Sequence, residues 1–307
     1  MTYSDTLARL NAGELVILDG GTGTELERRG VAMDDEAWCG PAILRDPEAL
    51  IAVHMDYIAA GAEIITANTY ASSRLMLTPA GLAARTEEIN RRSVEAALEA
   101  RRRAGRPDVL VAGSLSHMVP MAAGSAWSDL SRAPDSAAMA EAFGELAQVH
   151  AAAGCNLILL EMMYEPARMA LAAAAAKESG LPVWAGLSAR RGAKGEVLCF
   201  LQDRDRPFEE VAKQTGPGRF DVVGVMHSSA DITGPALERI AAHHDGPLMA
   251  YPDSGFFEMP HWRFEDIIAP DRLAQFAQDW VGQGARVLGG CCGLGPAHIE
   301  ALAGLKG

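Results

Sequence analysis

Cys291 and Cys292 are adjacent thiols inside the run Gly289-Gly290-Cys291-Cys292-Gly293. The flanking glycines allow close backbone approach and unusual dihedrals. Neighbouring cysteines rarely bridge each other, because the geometry is strained. Two thiols presented together instead suit a soft metal such as zinc. The competing reading is a pair of small buried apolar residues. Zinc needs at least a third protein ligand. His227 ends the apolar run Val223-Gly224-Val225-Met226 and is the candidate. Its plain alternative is a hydrogen-bonded histidine at a strand end.

Other polar residues also follow apolar runs directly. Leu18-Asp19-Gly20-Gly21-Thr22-Gly23-Thr24-Glu25 is a glycine-rich turn without the lysine of a phosphate-binding loop. Asp19 there suits an ammonium, and the amides of Gly20, Gly21 and their neighbours suit a carboxylate. Asp19 capping its own turn is the simpler role. Glu161 follows Leu157-Ile158-Leu159-Leu160. A carboxylate so placed is costly to bury unpaired. It is expected to share a substrate ammonium with Asp19, or else to pair internally with a residue such as Arg190. Asn68 and Tyr70 close another run, and Trp38 lies in the loop after the first. Their expected role is to line a pocket, with the aromatic rings beside an onium methyl group; ordinary packing is the alternative.

These residues need a scaffold that gathers strand ends. Eight apolar, β-rich runs are predicted as strands at 15–20, 62–68, 108–115, 156–163, 182–190, 221–229, 246–255 and 285–293. Helical patterns alternate with them at 47–60, 84–104, 135–153, 165–179, 207–215, 232–244, 271–283 and 296–305. Asp46 and Asp135 are predicted N-caps, and Pro47 suits a first helical position. Gly61, Gly154, Gly180 and Gly284 stand where left-handed residues end helices. Strict alternation implies parallel strands with crossover helices. The predicted fold class is α/β, a single (β/α)8 TIM barrel spanning 1–307 as one domain. Active sites of such barrels lie at the C-terminal ends of the strands, where all the residues named above fall.

Composition narrows the chemistry. The chain has 307 residues, 49% of them apolar, and a net charge of −13. That charge argues against nucleic acid and anionic membranes as partners. Arg101-Arg102-Arg103 reads as the solvated end of a helix. Five cysteines do not suggest a disulfide framework, so a reducing cytoplasm is the expected compartment. No signal peptide or membrane span is visible. The sequence leaves the oligomeric state open.

Taken together, these strand ends resemble the homocysteine S-methyltransferase family. The matches are Asp19 through Leu26, Asn68-Thr69-Tyr70, Ala112-Gly113-Ser114, Glu161 and the terminal Gly-Gly-Cys-Cys-Gly. They run from about residue 13 to residue 304, nearly the whole chain. The resemblance implies a barrel that binds Zn2+ through three cysteines and transfers a methyl group to homocysteine. Cys291 and Cys292 match two of those ligands, and Asp19 and Glu161 match positions that hold the amino-acid end. His227 falls where the family places its third cysteine, and Met226 where an asparagine usually precedes it. Asp253, in Tyr251-Pro252-Asp253-Ser254-Gly255, falls where the family more usually carries Asn.

Three thiolates on a dication leave one net negative charge, whereas two thiolates and a neutral imidazole leave none. The less negative centre lowers the pKa of a bound thiol further but leaves the thiolate less nucleophilic. Such an imidazole needs a neighbour to fix its tautomer, and Ser228, Ser229 and Asp253 are the candidates. The expected partners are a small-molecule thiol and a sulfonium or betaine methyl donor. The acidic run Asp34-Asp35-Glu36 beside Trp38 would favour a cationic donor, unless it is merely solvated surface. The rival readings are zinc-dependent methyl transfer to a different thiol, a zinc hydrolase or lyase with His117 as acid or base, and a thiol- or metal-binding protein without turnover.

Overall fold

The computed structural model describes residues 2–306 except 123, 126, 127, 202 and 203. The barrel strands are β1 (Val16–Ile17), β2 (Ile64–Ala67), β3 (Leu110–Ser116) and β4 (Leu157–Met163). They continue as β5 (Val183–Leu187), β6 (Val222–Met226), β7 (Leu248–Tyr251) and β8 (Ala285–Leu288). Each pairs in parallel with its neighbour in chain order, and β8 pairs with β1 through Val287 and Val16. A parallel bridge between Leu18 and Ile64 joins β1 to β2 and completes the ring. The expected (β/α)8 barrel is therefore present.

Period-two alternation explains why the strands read as continuous apolar runs. Leu157 and Leu159 face a core inside the barrel with Leu110, Trp184 and Val287. Ile158 and Leu160 face outward into the layer beneath the helices. The helix Tyr3–Asn11, which the sequence reading did not anticipate, closes the N-terminal end of the barrel. Tyr3 donates to Asp221 at 2.5 Å and accepts from Trp184 Nε1 at 3.0 Å.

The helix signals hold. Asp46 caps Pro47–Ala59 through Ala49 N at 2.9 Å, and Asp135 caps Ser136–Ala153 through Ala138 N at 2.9 Å. Each such cap is worth about 1 kcal/mol. Gly61, Gly154, Gly180 and Gly284 all have positive φ. Arg102 and Arg103 end the helix Thr86–Arg103 in surface ion pairs with Glu99 and Glu48.

Element ends needed correction. The predicted strands at 15–20, 182–190, 221–229, 246–255 and 285–293 overshoot the ladder. Apolar residues continue past the point where the chain leaves the sheet to build the mouth. After β5 the chain turns back as a hairpin, Ala189–Arg191 with Val197–Cys199. After β7 a second hairpin pairs Phe256–Glu258 with His261–Arg263. The predicted helix at 207–215 shrinks to Glu209–Ala212 followed by a 3-10 turn, Lys213–Thr215.

Candidate metal centre

His227 is the first residue after β6 and carries φ 42°, in the left-handed region that β-carbon sterics disfavour. This turn, with His227 N donating to Tyr251 O at 3.3 Å, places the imidazole at the barrel mouth. Nδ1 lies 3.5 Å from Cys291 Sγ, and the two cysteine sulfurs are 3.8 Å apart. One ligand atom from each of His227, Cys291 and Cys292 falls within 4.8 Å of the others. Tetrahedral zinc, with Zn–S of about 2.3 Å and Zn–N of about 2.0–2.1 Å, requires S···S and S···N edges of about 3.8 and 3.6 Å. The observed Cys291 edges match both, so this donor set fits zinc.

Local backbone bonds hold the cysteines there. Cys291 N donates to Pro252 O at 2.7 Å, Ser254 N to Cys292 O at 3.0 Å, and Gly290 N to Asp19 O at 3.0 Å. The turn thus sits between the segments that leave β1 and β7. Gly293 allows it: φ is 81°, and a β-carbon would stand 1.9 Å from Ser254 O.

The charges of this cluster are balanced against each other. The hydrogen bond from Cys291 to Cys292, together with burial, pushes the Cys291 thiol well above the ordinary range. For Cys292, that bond pulls downward, but burial leaves the net shift upward. Burial pulls the His227 pKa down, and Asp253 and Cys291 outweigh it, carrying the value up to about 9. A bound dication would reverse this order and displace the protons. Asp253 Oδ2 lies 3.5 Å from His227 Nε2. Of the three candidate neighbours, Ser228 instead accepts from Ala189 N, and Ser229 donates to Asp231.

The two carboxylates expected to meet an ammonium lie in the same cavity, of about 1040 Å³. Asp19 accepts from Thr66 N at 2.6 Å and Thr66 Oγ1 at 2.9 Å, lacing β1 to β2 rather than capping its own turn. Burial raises its pKa to about 8 despite those bonds. Burial likewise raises Glu161 to about 7, against Ser114 Oγ, which donates to it, and the Tyr251 hydroxyl beside it. Arg190 does not neutralise Glu161, since it pairs with Asp205 at 2.7 Å. Two buried carboxylates with raised pKa values, neither paired with a lysine or arginine among the described residues, are arranged to receive a cation.

Gly20 and Gly21 line the cavity, but the Gly21 amide already donates to Leu294 O at 3.0 Å. Asn68 also lines it, and both ends of its amide are engaged by Cys39. These bonds tie it to the loop that carries Trp38. The Tyr70 hydroxyl donates to Met162 Sδ at 2.7 Å, and the ring stands edge-on to Trp38 at 6.4 Å. Asp34 and Glu36 do not face the cavity; they pair with Arg45 and Arg132. The acidic run is therefore surface structure.

Phe257 and Trp262 join the cavity as well, beyond the residues singled out from sequence. The hairpin after β7 sets Phe257 5.3 Å from Trp38, and Trp262 5.7 Å from the His227 ring. Phe200, from the other hairpin, meets His227 from another side at 5.3 Å. The dense aromatic spelling of 256–264 was the available signal. His117, the acid or base of the rival reading, is buried with a pKa lowered to about 3 by desolvation and then by Arg168.

The sequence profile described as homocysteine S-methyltransferase matches residues 16–305. Homocysteine S-methyltransferase 4 of Zea mays is 30% identical, with 95% of this chain and 89% of the relative covered. Homocysteine S-methyltransferase of Escherichia coli is 28% identical, with 96% of each chain covered. The solved structure of the E. coli homocysteine methyltransferase MmuM in its metallated form superposes with a TM-score of 0.73 at 24% identity. It covers 97% of this chain and 98% of its own, which supports the barrel fold. No helix among the described residues is long and apolar enough to cross a membrane. The chain belongs to the homocysteine S-methyltransferase family and is an S-methyltransferase acting on a thiol.

Proposed function

We propose that the protein moves a methyl group from a small sulfonium or betaine donor to homocysteine, giving methionine, with Zn2+ held by His227 Nδ1, Cys291 Sγ and Cys292 Sγ. The observation that carries this reading is the agreement of the 3.5 and 3.8 Å edges at Cys291 with a tetrahedral site. Bound there, zinc would supply ionisation of the acceptor thiol near neutral pH and a fixed position for its sulfur. The rest is done by the chain. Asp19 and Glu161 hold the acceptor's ammonium, which keeps both carboxylates ionised when substrate is present. Trp38, Tyr70, Phe257 and Trp262 line the cavity and supply the aromatic faces that attract a cationic donor. The acceptor sulfur forms a bond to the methyl carbon as the donor's bond to that carbon breaks. The donor leaves neutral, so no general acid is needed.

A hydrolytic reading would need a base poised near neutral pH. His117 does not provide one, because its Nε2 accepts from Tyr164 N at 3.1 Å and its pKa is near 3. The full barrel, residues 1–307, is the unit of function in this proposal, and its five free cysteines suit a reducing cytoplasm.

Zinc content and zinc-edge X-ray absorption test the assignment. The expected spectrum has two sulfur ligands and one imidazole, gains a sulfur when homocysteine is added, and loses the imidazole in His227→Ala. Wild-type protein that takes up no zinc under loading conditions would overturn it. Incubation with homocysteine and S-methylmethionine, followed by mass analysis for methionine, tests the reaction itself.

A further inference from the structure

Adjacent side chains of an extended chain point to opposite faces. Cys291 and Cys292 bring their sulfurs to 3.8 Å because they stand in a turn instead. Leu294 N donates to Cys291 O at 3.1 Å and closes it. Gly293, the third residue, has φ 81°, while Cys292 before it stays out of the left-handed region, which is the type II pattern. Type I and type II turns differ by a flip of the central peptide, here the one between Cys292 and Gly293. Both polar groups of that peptide are held. Ser254 N donates to Cys292 O at 3.0 Å, and Gly293 N donates to Thr24 Oγ1 at 3.1 Å.

Thr24 belongs to the helix Thr22–Arg28, which follows β1. It is fully buried, and its hydroxyl donates onward to Gly21 O at 3.0 Å, so the oxygen presents a lone pair to Gly293. Arg28 stands four residues further on, on the same face of the helix. Its Nη2 donates to Gly293 O at 2.7 Å. One helix thus takes both the N–H and the C=O of the residue that follows the cysteine pair. Arg28 is itself held, with Nη1 3.2 Å from Glu25 Oε1 and the guanidinium over the Phe264 ring at 4.4 Å. Neither Thr24 nor Arg28 lines the cavity, so an effect on a bound ion must pass through the turn.

We infer that Thr24 and Arg28 are positioning residues for the metal centre: by fixing both sides of Gly293 they preform the Cys291–Cys292 pair before an ion arrives. A pair assembled in advance binds more tightly, because less ordering remains to be done on binding. The inference rests on the zinc reading for the identity of the ligand. A preformed dithiol can also be detected without zinc.

The test uses the full-length, reduced protein and two probes. Zn2+ is read by competition against a chromophoric chelator. Phenylarsine oxide, whose arsenic bonds to two neighbouring sulfurs with loss of water, needs no imidazole, and Cys291→Ser supplies the background from other thiols. Thr24→Val keeps the side-chain shape without the hydroxyl and is expected to weaken zinc binding about 10- to 100-fold, the range for losing a group that orients a metal ligand. Thr24→Ser, which restores the hydroxyl, should stay within about threefold of wild type. Arg28→Met should cost about 3- to 30-fold, as for loss of one charge-assisted hydrogen bond. Arsenical binding should fall in the same order. The melting temperature of the zinc-free proteins is measured in parallel. A lower melting temperature in Thr24→Val with unchanged affinity for both probes makes Thr24 ordinary packing and overturns the inference. If Thr24→Val does not fold, Arg28→Met decides alone, and wild-type affinity there overturns it. Wild type that takes up no zinc, yet binds the arsenical in a Thr24-dependent way, removes the zinc reading and leaves the positioning role standing.

Discussion

Asp253 and Cys291 approach the His227 ring from opposite nitrogens: Asp253 Oδ2 lies 3.5 Å from Nε2, and Cys291 Sγ lies 3.5 Å from Nδ1. The carboxylate therefore favours a proton on Nε2 and leaves the Nδ1 lone pair toward the sulfurs. A cysteine at this position would need no such partner. Asp253 is the neighbour that suits the imidazole.

Asp253→Asn is accordingly expected to weaken zinc binding about 10- to 100-fold without unfolding the barrel. Competition against a chromophoric chelator reads the affinity, and circular dichroism checks the fold. In His227→Cys the same Asp253 change should have little effect. Unaltered zinc affinity in the single Asp253 variant would show that the ring is oriented by something else.

Trp38→Ala and Trp262→Ala are each expected to raise the KM for an onium donor about 3- to 30-fold, as befits loss of one cation–π contact. Homocysteine KM should move less. Steady-state kinetics with each substrate varied in turn would reveal an equal rise for both, which would mark these rings as packing alone.

His54 supplies a pH dependence. It is fully buried in the helix Pro47–Ala59, neither ring nitrogen has a partner among the described residues, and burial lowers its pKa to about 4. The unfolded chain takes up this proton first, near pH 6.5. The contribution is therefore intact above the unfolded value and lost as pH falls from about 6.5 toward 4, up to about 3 kcal/mol. His54→Leu should raise the melting temperature relative to wild type most at pH 5 and least at pH 7.5. A gap equal at both values would refute the assignment.

Gly30 and Gly293 separate backbone strain from steric conflict, since both have φ 81°. A β-carbon at Gly30 meets nothing within 4 Å, whereas at Gly293 it stands 1.9 Å from Ser254 O. Gly30→Ala should cost about 1 kcal/mol. Gly293→Ala should cost several times that and reduce zinc uptake, because the cysteine turn must move. Chemical denaturation compares the two, and similar losses would mean that the turn yields easily.

Much of this protein is written in local patterns. The eight strands were legible because alternate residues of a barrel strand enter two apolar layers, as Leu159 and Leu160 do. The caps at Asp46 and Asp135 depend on contacts three residues away, so their positions could be read directly. That Cys291, Cys292 and His227 come together was also legible, because a barrel places every strand end at one mouth.

Tertiary structure decided what depends on neighbours distant in the chain. The choice of Asp253 over Ser228 and Ser229 rests on the return of the chain after β7. Phe257 and Trp262 reach the cavity only because a hairpin folds over it. Asp19 turned out to lace the β1–β2 seam through Thr66, a residue 47 positions away. Arg168, buried in the cavity wall, pairs with no carboxylate among the described residues, which no spacing can encode. Periodicity reports which face of an element is buried; hydrogen bonds and charge pairing depend on where other segments come to rest.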